Sequence, residues 1–195
     1  IFQPNIGKYG VVYSKDSKFF VEAPVWAIRN AVFSMPIKHQ FKVIPSGNKK
    51  GTLYIHHVAE AQNEADYERK VIRGKQLTEM GHEVKILPVV NPKDVENRKI
   101  VFPGVIKDKS PEYLIDGMYA DLKTPETPFT QGTLQRNLRK YADQSEFPVI
   151  DFTFDVNKTM VEATCQKKVN GNGKIKQVYL FFADGTITHI KKATR

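Results

Sequence analysis

From Ala59 onward the chain alternates proline-free helical stretches with short apolar runs, and two pairs of those runs are joined through Asp-Gly. Asp-Gly favours a tight two-residue hairpin turn, so each pair reads as adjacent antiparallel strands. Gln62 to Met80 holds no proline and Gly81 follows it, which predicts a helix. His82 to Leu87 and Lys99 to Phe102 read as strands. Tyr113–Ile115 and Met118–Leu122 form the first hairpin, across Asp116-Gly117. Thr124 to Thr130, with two prolines, reads as a loop. A basic amphipathic helix over Thr133 to Gln144 carries Leu134, Leu138 and Tyr141 on one side. Pro148 to Phe154 is an apolar strand, and Lys158 to Lys168 a helix capped by Asn157 and stopped at Asn170-Gly171. Ile175–Phe182 and Thr186–Ile190 form the second hairpin, across Asp184-Gly185. Helices interleaved with strands predict an α/β fold, a mixed central sheet flanked by helices.

Residues 1 to 58 read differently. Four prolines punctuate short mixed runs such as Gly10–Tyr13 and Phe19–Val21, a short helix fits Val25 to Phe33, and Ser46–Gly51 reads as a turn. We expect a small N-terminal appendage over 1–58 and the main domain over 59–195. The chain starts at Ile1 without a basic-then-apolar leader, which leads us to expect a piece of a longer protein. No apolar run reaches the ~18 residues of a membrane span. A single cysteine, Cys165, rules out an internal disulfide and a cysteine-rich zinc site. Thirty Lys and Arg against 21 Asp and Glu give a net charge of +9, a balance suited to a polyanionic partner or to plain solubility.

The stretch with most chemical content runs from Ser110 to Pro125. Asp121 and Lys123 are two apart on a strand and so share a face, with Leu122 on the other. Glu112 opens the partner strand, and the turn at Asp116-Gly117 brings it back beside Asp121. Two carboxylates and a lysine on one face are what metal-assisted phosphodiester hydrolysis requires. Carboxylates hold Mg²⁺ or Mn²⁺, hard cations that prefer oxygen, with Zn²⁺ a further candidate. The lysine orients water or stabilises charge on the phosphate. An isolated Asp-x-Lys is common by chance and reads equally as a cross-strand ion pair. The Pro-acid pair ahead of the hairpin is what favours chemistry.

This arrangement resembles the PD-(D/E)XK nuclease superfamily. Pro111-Glu112 stands where that motif has Pro-Asp, and Asp121-Leu122-Lys123 where it has acid-x-Lys. The resemblance covers roughly residues 60 to 190 and departs at Glu112, which replaces the usual aspartate. Within the superfamily the chain looks like the C-terminal toxin domains of CdiA-type contact-dependent inhibition proteins. The features that carry this are Gly81–Pro88, Tyr113-Leu-Ile-Asp-Gly117, the Asp-Leu-Lys and the helix Leu134–Lys140. The resemblance implies a PD-(D/E)XK-like core and a toxin that cleaves RNA, with tRNA the expected substrate. It also implies a divalent metal on Glu68, Glu112 and Asp121, with Lys123 at the reacting phosphate. A larger secreted or cell-surface parent protein, action in the target-cell cytoplasm and an acidic immunity partner follow from the same likeness. Modules of this type also occur at the tails of phage head proteins, which leaves a non-catalytic nucleic-acid-binding module as an alternative.

In the superfamily the first core helix supplies another acid. On a helical wheel Ala61, Ala65 and Ile72 fall within about 40° of one another, and Glu68 about 20° to 40° outside that cluster. Glu68 is therefore the first choice for the third carboxylate and Glu64 the second. Arg136, Arg139, Lys140 and Gln144, with Gln135 and Asn137, are candidates for contacting phosphates and sugar hydroxyls. Lys167, Lys168, Lys174, Lys176, Lys191 and Lys192 add charge near the C-terminus, and Thr124, next after Lys123, is a candidate hydroxyl beside the phosphate. His56, His57 and His189 read first as structural histidines. They also support a rival, a metal-independent ribonuclease of barnase or colicin type using His, Lys and Arg. Cys165, mid-helix, reads as a packed thiol.

Overall fold

The computed structural model describes residues 24–192 apart from 46, 48–49, 106–108 and 172, together with the backbone of 5–6, 11–13 and 21–22. Gly10, Phe19, Phe20, Ser46, Asn48 and Lys49, on which two of the sequence readings rest, lie outside the described residues. The chain divides into two compact units, Ile1–Ser110 and Pro111–Arg195.

In the first unit, short strands β1 (Asn5–Ile6), β2 (Val11–Tyr13) and β3 (Val21–Glu22) pair antiparallel in that order. Helix α1 (Val25–Phe33) follows and buries Ile28 and Val32. Strands β4 (Phe41–Pro45) and β5 (Thr52–His56) pair antiparallel, and β5 runs straight into α2 (His57–Gln62). Asn63, with φ +43°, ends α2, and a new helix α3 (Tyr67–Glu79) begins after Asp66. The single helix expected over Gln62–Met80 is therefore two helices, since a left-handed residue breaks the α ladder. The break shifts the phase on which the wheel rested: Ile72 is 55% exposed, and the buried residues of α3 are Lys70, Gly74, Leu77 and Thr78. A Cβ on Gly74 would lie 3.0 Å from Leu53 Cδ1 and 3.6 Å from Ile86 Cδ1, so a hydrogen there lets α3 lie close over two strands. These are β5 and β6 (Glu83–Ile86), which pair in parallel.

Lys99–Phe102 is not a strand but lies at the end of helix α4 (Val95–Val101). Asp94 caps that helix by accepting the Asn97 N–H. Arg98 turns inward and donates to the Val90 carbonyl and to Ser110 Oγ, both at 2.9 Å. Those tertiary bonds outweigh the local β preference of Ile100 and Val101.

The second unit is a mixed sheet of β7 (Tyr113–Ile115), β8 (Met118–Lys123), β9 (Phe147–Asp151), β10 (Gln177–Phe181) and β11 (Ile187–Lys191) in the order β11-β10-β9-β8-β7. The middle pairs β8/β9 and β9/β10 are parallel, joined by α5 (Gln131–Ala142) and α6 (Lys158–Asn170). The outer pairs are the two antiparallel hairpins read from the sequence. Asp116 (φ +48°) and Gly117 (φ +82°) both occupy the left-handed region, as a two-residue primed turn demands. Thr130 and Asn157 cap α5 and α6 through their side-chain oxygens. Every residue of β9 is buried, as expected of a strand covered on both faces. On one face Ile150, Phe152, Val178 and Leu180 pack against Leu134 and Leu138 of α5 and Val161 and Cys165 of α6. Each such side chain contributes roughly 1.5–3 kcal/mol of transfer free energy. Among the described residues no helix is long and apolar enough to cross a membrane.

Candidate active site

The register Tyr113↔Ala120 carries one step further outward to place Glu112 opposite Asp121. The two residues lock each other. The Glu112 N–H donates to Asp121 Oδ1 at 3.2 Å, and the Leu122 N–H donates to Glu112 Oε2 at 2.7 Å. Hydrogen bonds to a charged carboxylate are stronger than neutral ones and hold both side chains at the end of the hairpin. Asp121 is 5% exposed, and the neighbouring β9 covers it through the register Asp121↔Pro148. Lys123, one pleat further along the same face, places Nζ 4.0 Å from Asp121 Oδ2. It also stands 5.9 Å from the centre of the Tyr141 ring, which reaches over from α5. Burial pushes the Tyr141 hydroxyl up to about 12, so it stays a neutral donor at physiological pH.

Glu112, Asp121 and Lys123 therefore form one cluster on one unit. Two carboxylates beside an ammonium are a suitable oxygen donor set for a hard cation that keeps most of its waters. Glu68 is exposed on α3 in the first unit. Glu64 is exposed just ahead of α3, where its Oε2 accepts from Lys70 Nζ at 3.1 Å. Among the described residues no group of three or more His, Cys, Asp or Glu side chains converges as a ligand set.

Arg136, Arg139 and Lys140 are exposed along α5, and Gln144 is exposed just beyond its end. Thr124 is exposed next to Lys123. Sequence reasoning did not reach Tyr141 as a contact of Lys123, since that depends on the packing of α5. Its only sequence signal was its place on the apolar side of that helix.

The histidines and the thiol have structural surroundings. His56 is fully buried, and burial lowers its pKa to about 3. His57 is also lowered, chiefly by burial. His189 stacks on Tyr179 with ring centres 4.1 Å apart, and its Nε2 donates to Gln177 Oε1 at 2.7 Å. Cys165 is buried in the core, which raises its thiol to about 12 and leaves it protonated.

Residues 109–187, less than half of the chain, match the family model described as the contact-dependent growth inhibition CdiA C-terminal domain. Among solved structures the chain is similar to the CdiA-CT/CdiI toxin and immunity complex from Burkholderia pseudomallei. The identity is 19% over 65% of this chain and 84% of that one, with a TM-score of 0.44. No curated protein matches the sequence.

Proposed function

We propose that the chain is the toxin module of a contact-dependent growth inhibition protein, and that it hydrolyses phosphodiester bonds in RNA, tRNA first. The observation that carries this reading is the Glu112–Asp121–Lys123 cluster, which falls inside the segment that matches the family model. Glu112 and Asp121 are the proposed cation ligands. A bound divalent cation would polarise a phosphoryl oxygen and lower the pKa of a coordinated water. Lys123 supplies fixed positive charge where the phosphate gains negative charge, and the Asp121 carboxylate and the Tyr141 ring hold its ammonium in place. The toxin reading also entails a parent protein at the cell surface, delivery into a target cell and an acidic immunity protein that neutralises the producer's own toxin.

Incubation of the purified protein with total RNA and with plasmid DNA, with Mg²⁺ or with EDTA, tests the reading. RNA cleavage that needs Mg²⁺ is the expected result. Asp121→Asn and Lys123→Ala should each lower cleavage by about 10²–10³-fold, the scale of removing one electrostatic contact to a transition state, while circular dichroism stays native. Full activity in both variants would remove the site. Cleavage in EDTA would transfer the chemistry to a metal-independent ribonuclease, and retention of RNA without cleavage would make the module a binding one.

A further inference from the structure

A groove of about 510 Å³ runs between α5 and α6. Its walls carry Arg139 on one side and Lys167 and Lys168 on the other, and none of its lining residues is acidic. Among the described residues, none of these three cations forms an ion pair. Lys158 and Lys174, outside the groove, reach Asp184 and Asp143. Gln131, Gln135 and Arg139 follow at four-residue spacing along the α5 wall, so their Cβ atoms stand about 6 Å apart in a row. That repeat is comparable to the phosphate step of an extended strand. Gln131 Nε2 donates to Thr164 Oγ1 at 3.3 Å, which ties the two walls together at one end. At the other end Gly171 and Gly173 line the groove without side chains, and the Lys168 ammonium lies 4.0 Å from where a Cβ of Gly173 would be.

We infer that the α5–α6 groove binds the sugar-phosphate backbone of single-stranded RNA, as a site separate from the Glu112–Asp121–Lys123 cluster. This rests on the nuclease reading for its ligand and extends it with a second contact region. Cations on both walls approach a phosphate from two sides, and the glutamine amides serve its oxygens and the 2′-hydroxyls. Tyr141, which contacts Lys123, sits on the same helix as Arg139, so α5 carries one contact to each region.

The test uses the full chain carrying Asp121→Asn, which blocks the proposed cleavage, and a short fluorescent single-stranded RNA at about 0.15 M salt. Lys167→Gln with Lys168→Gln should weaken binding by about tenfold or more and flatten the salt dependence by about 0.7 per lost phosphate contact. Lys38→Gln with Lys75→Gln, a pair of exposed cations in the first unit, removes the same net charge and should stay within about twofold of the parent. Arg139→Gln alone, on an exposed side chain, repeats the test should the double variant melt early. RNA affinity in the groove variants equal to that of the matched control would overturn the proposal. So would loss of binding to polyglutamate with RNA binding intact, which would assign the groove to an acidic protein. The two readings fail separately. Groove-dependent binding by a protein that never cuts RNA removes the nuclease and keeps the groove. Asp121-dependent cleavage with normal binding in the groove variants removes the groove and keeps the nuclease.

Discussion

His56 has both ring nitrogens committed inside the first unit. Its Nε2–H donates to Gln40 Oε1 at 3.0 Å, and its Nδ1 accepts the Val58 N–H at 3.2 Å. Protonation of Nδ1 would set two donors against each other in a fully buried site, beside the rings of Phe33 and Phe41. The folded chain therefore takes up this proton only near pH 3, whereas an unfolded chain takes it up near the ordinary 6.5. Between those values the unfolded state holds more protons than the folded one. The contribution of His56 is thus complete above about pH 6.5 and is lost as pH falls toward 3, at up to about 1.4 kcal/mol per pH unit. The lowered His57 acts in the same direction. Denaturant melts across this window should show stability falling with acid. His56→Gln, which keeps a polar partner for Gln40 but cannot titrate, should flatten that fall even if it lowers the plateau. An equally steep fall in the variant would assign the acid sensitivity to other groups.

At the scale of elements, the β7–β8 hairpin decides whether Glu112 and Asp121 meet. One residue of register slip would send every side chain of β8 to the other face and part Asp121 and Lys123 from Glu112. Gly117, at φ +82°, is the position that holds this register. Gly117→Val should cost about 1–2 kcal/mol from the left-handed backbone alone. It should also reduce cleavage by more than the stability loss explains, read by comparing activity with thermal melting at a temperature where the variant remains folded. Asp116-Gly117 and Asp184-Gly185 made both hairpins legible in the sequence, and Asn157 and Gly171 marked the ends of α6, because each is a local rule acting within a few residues. The meeting of Glu112 with Asp121 was legible for the same reason. Glu68 was placed by a wheel that ran through Asn63, and one residue at φ +43° cancelled the phase. Lys99–Phe102 carried strand-like side chains, but the buried Arg98 bonds to Val90 and Ser110 belong to tertiary structure. The α5–α6 groove exists only once two helices separated by a strand lie side by side, and no local pattern announces that.

Over the whole molecule, positive charge and proposed chemistry are unevenly shared. Residues 1–110 hold 18 Lys and Arg against 11 Asp and Glu, while residues 111–195, which contain the cluster and the groove, hold 12 against 10. Most of the +9 excess therefore belongs to the unit without the proposed catalytic lysine. Charge of this kind acts at range: it raises the encounter rate with a polyanion, while short contacts in a groove set how long the complex lasts. The reach of such a field follows the Debye length, about 30 Å at 0.01 M salt and about 8 Å at 0.15 M. Replacing Lys38, Lys75 and Lys93, all exposed in the first unit, by Gln should lower the association rate with labelled RNA several-fold at the lower salt. The rates of variant and parent should converge at the higher salt, with dissociation unchanged throughout. The groove variants should behave in the opposite way, with faster dissociation at both salt concentrations. Stopped-flow measurements separate the two effects. Faster dissociation in the first-unit variant would mean that its lysines touch the RNA directly and that the division between steering and holding is wrong.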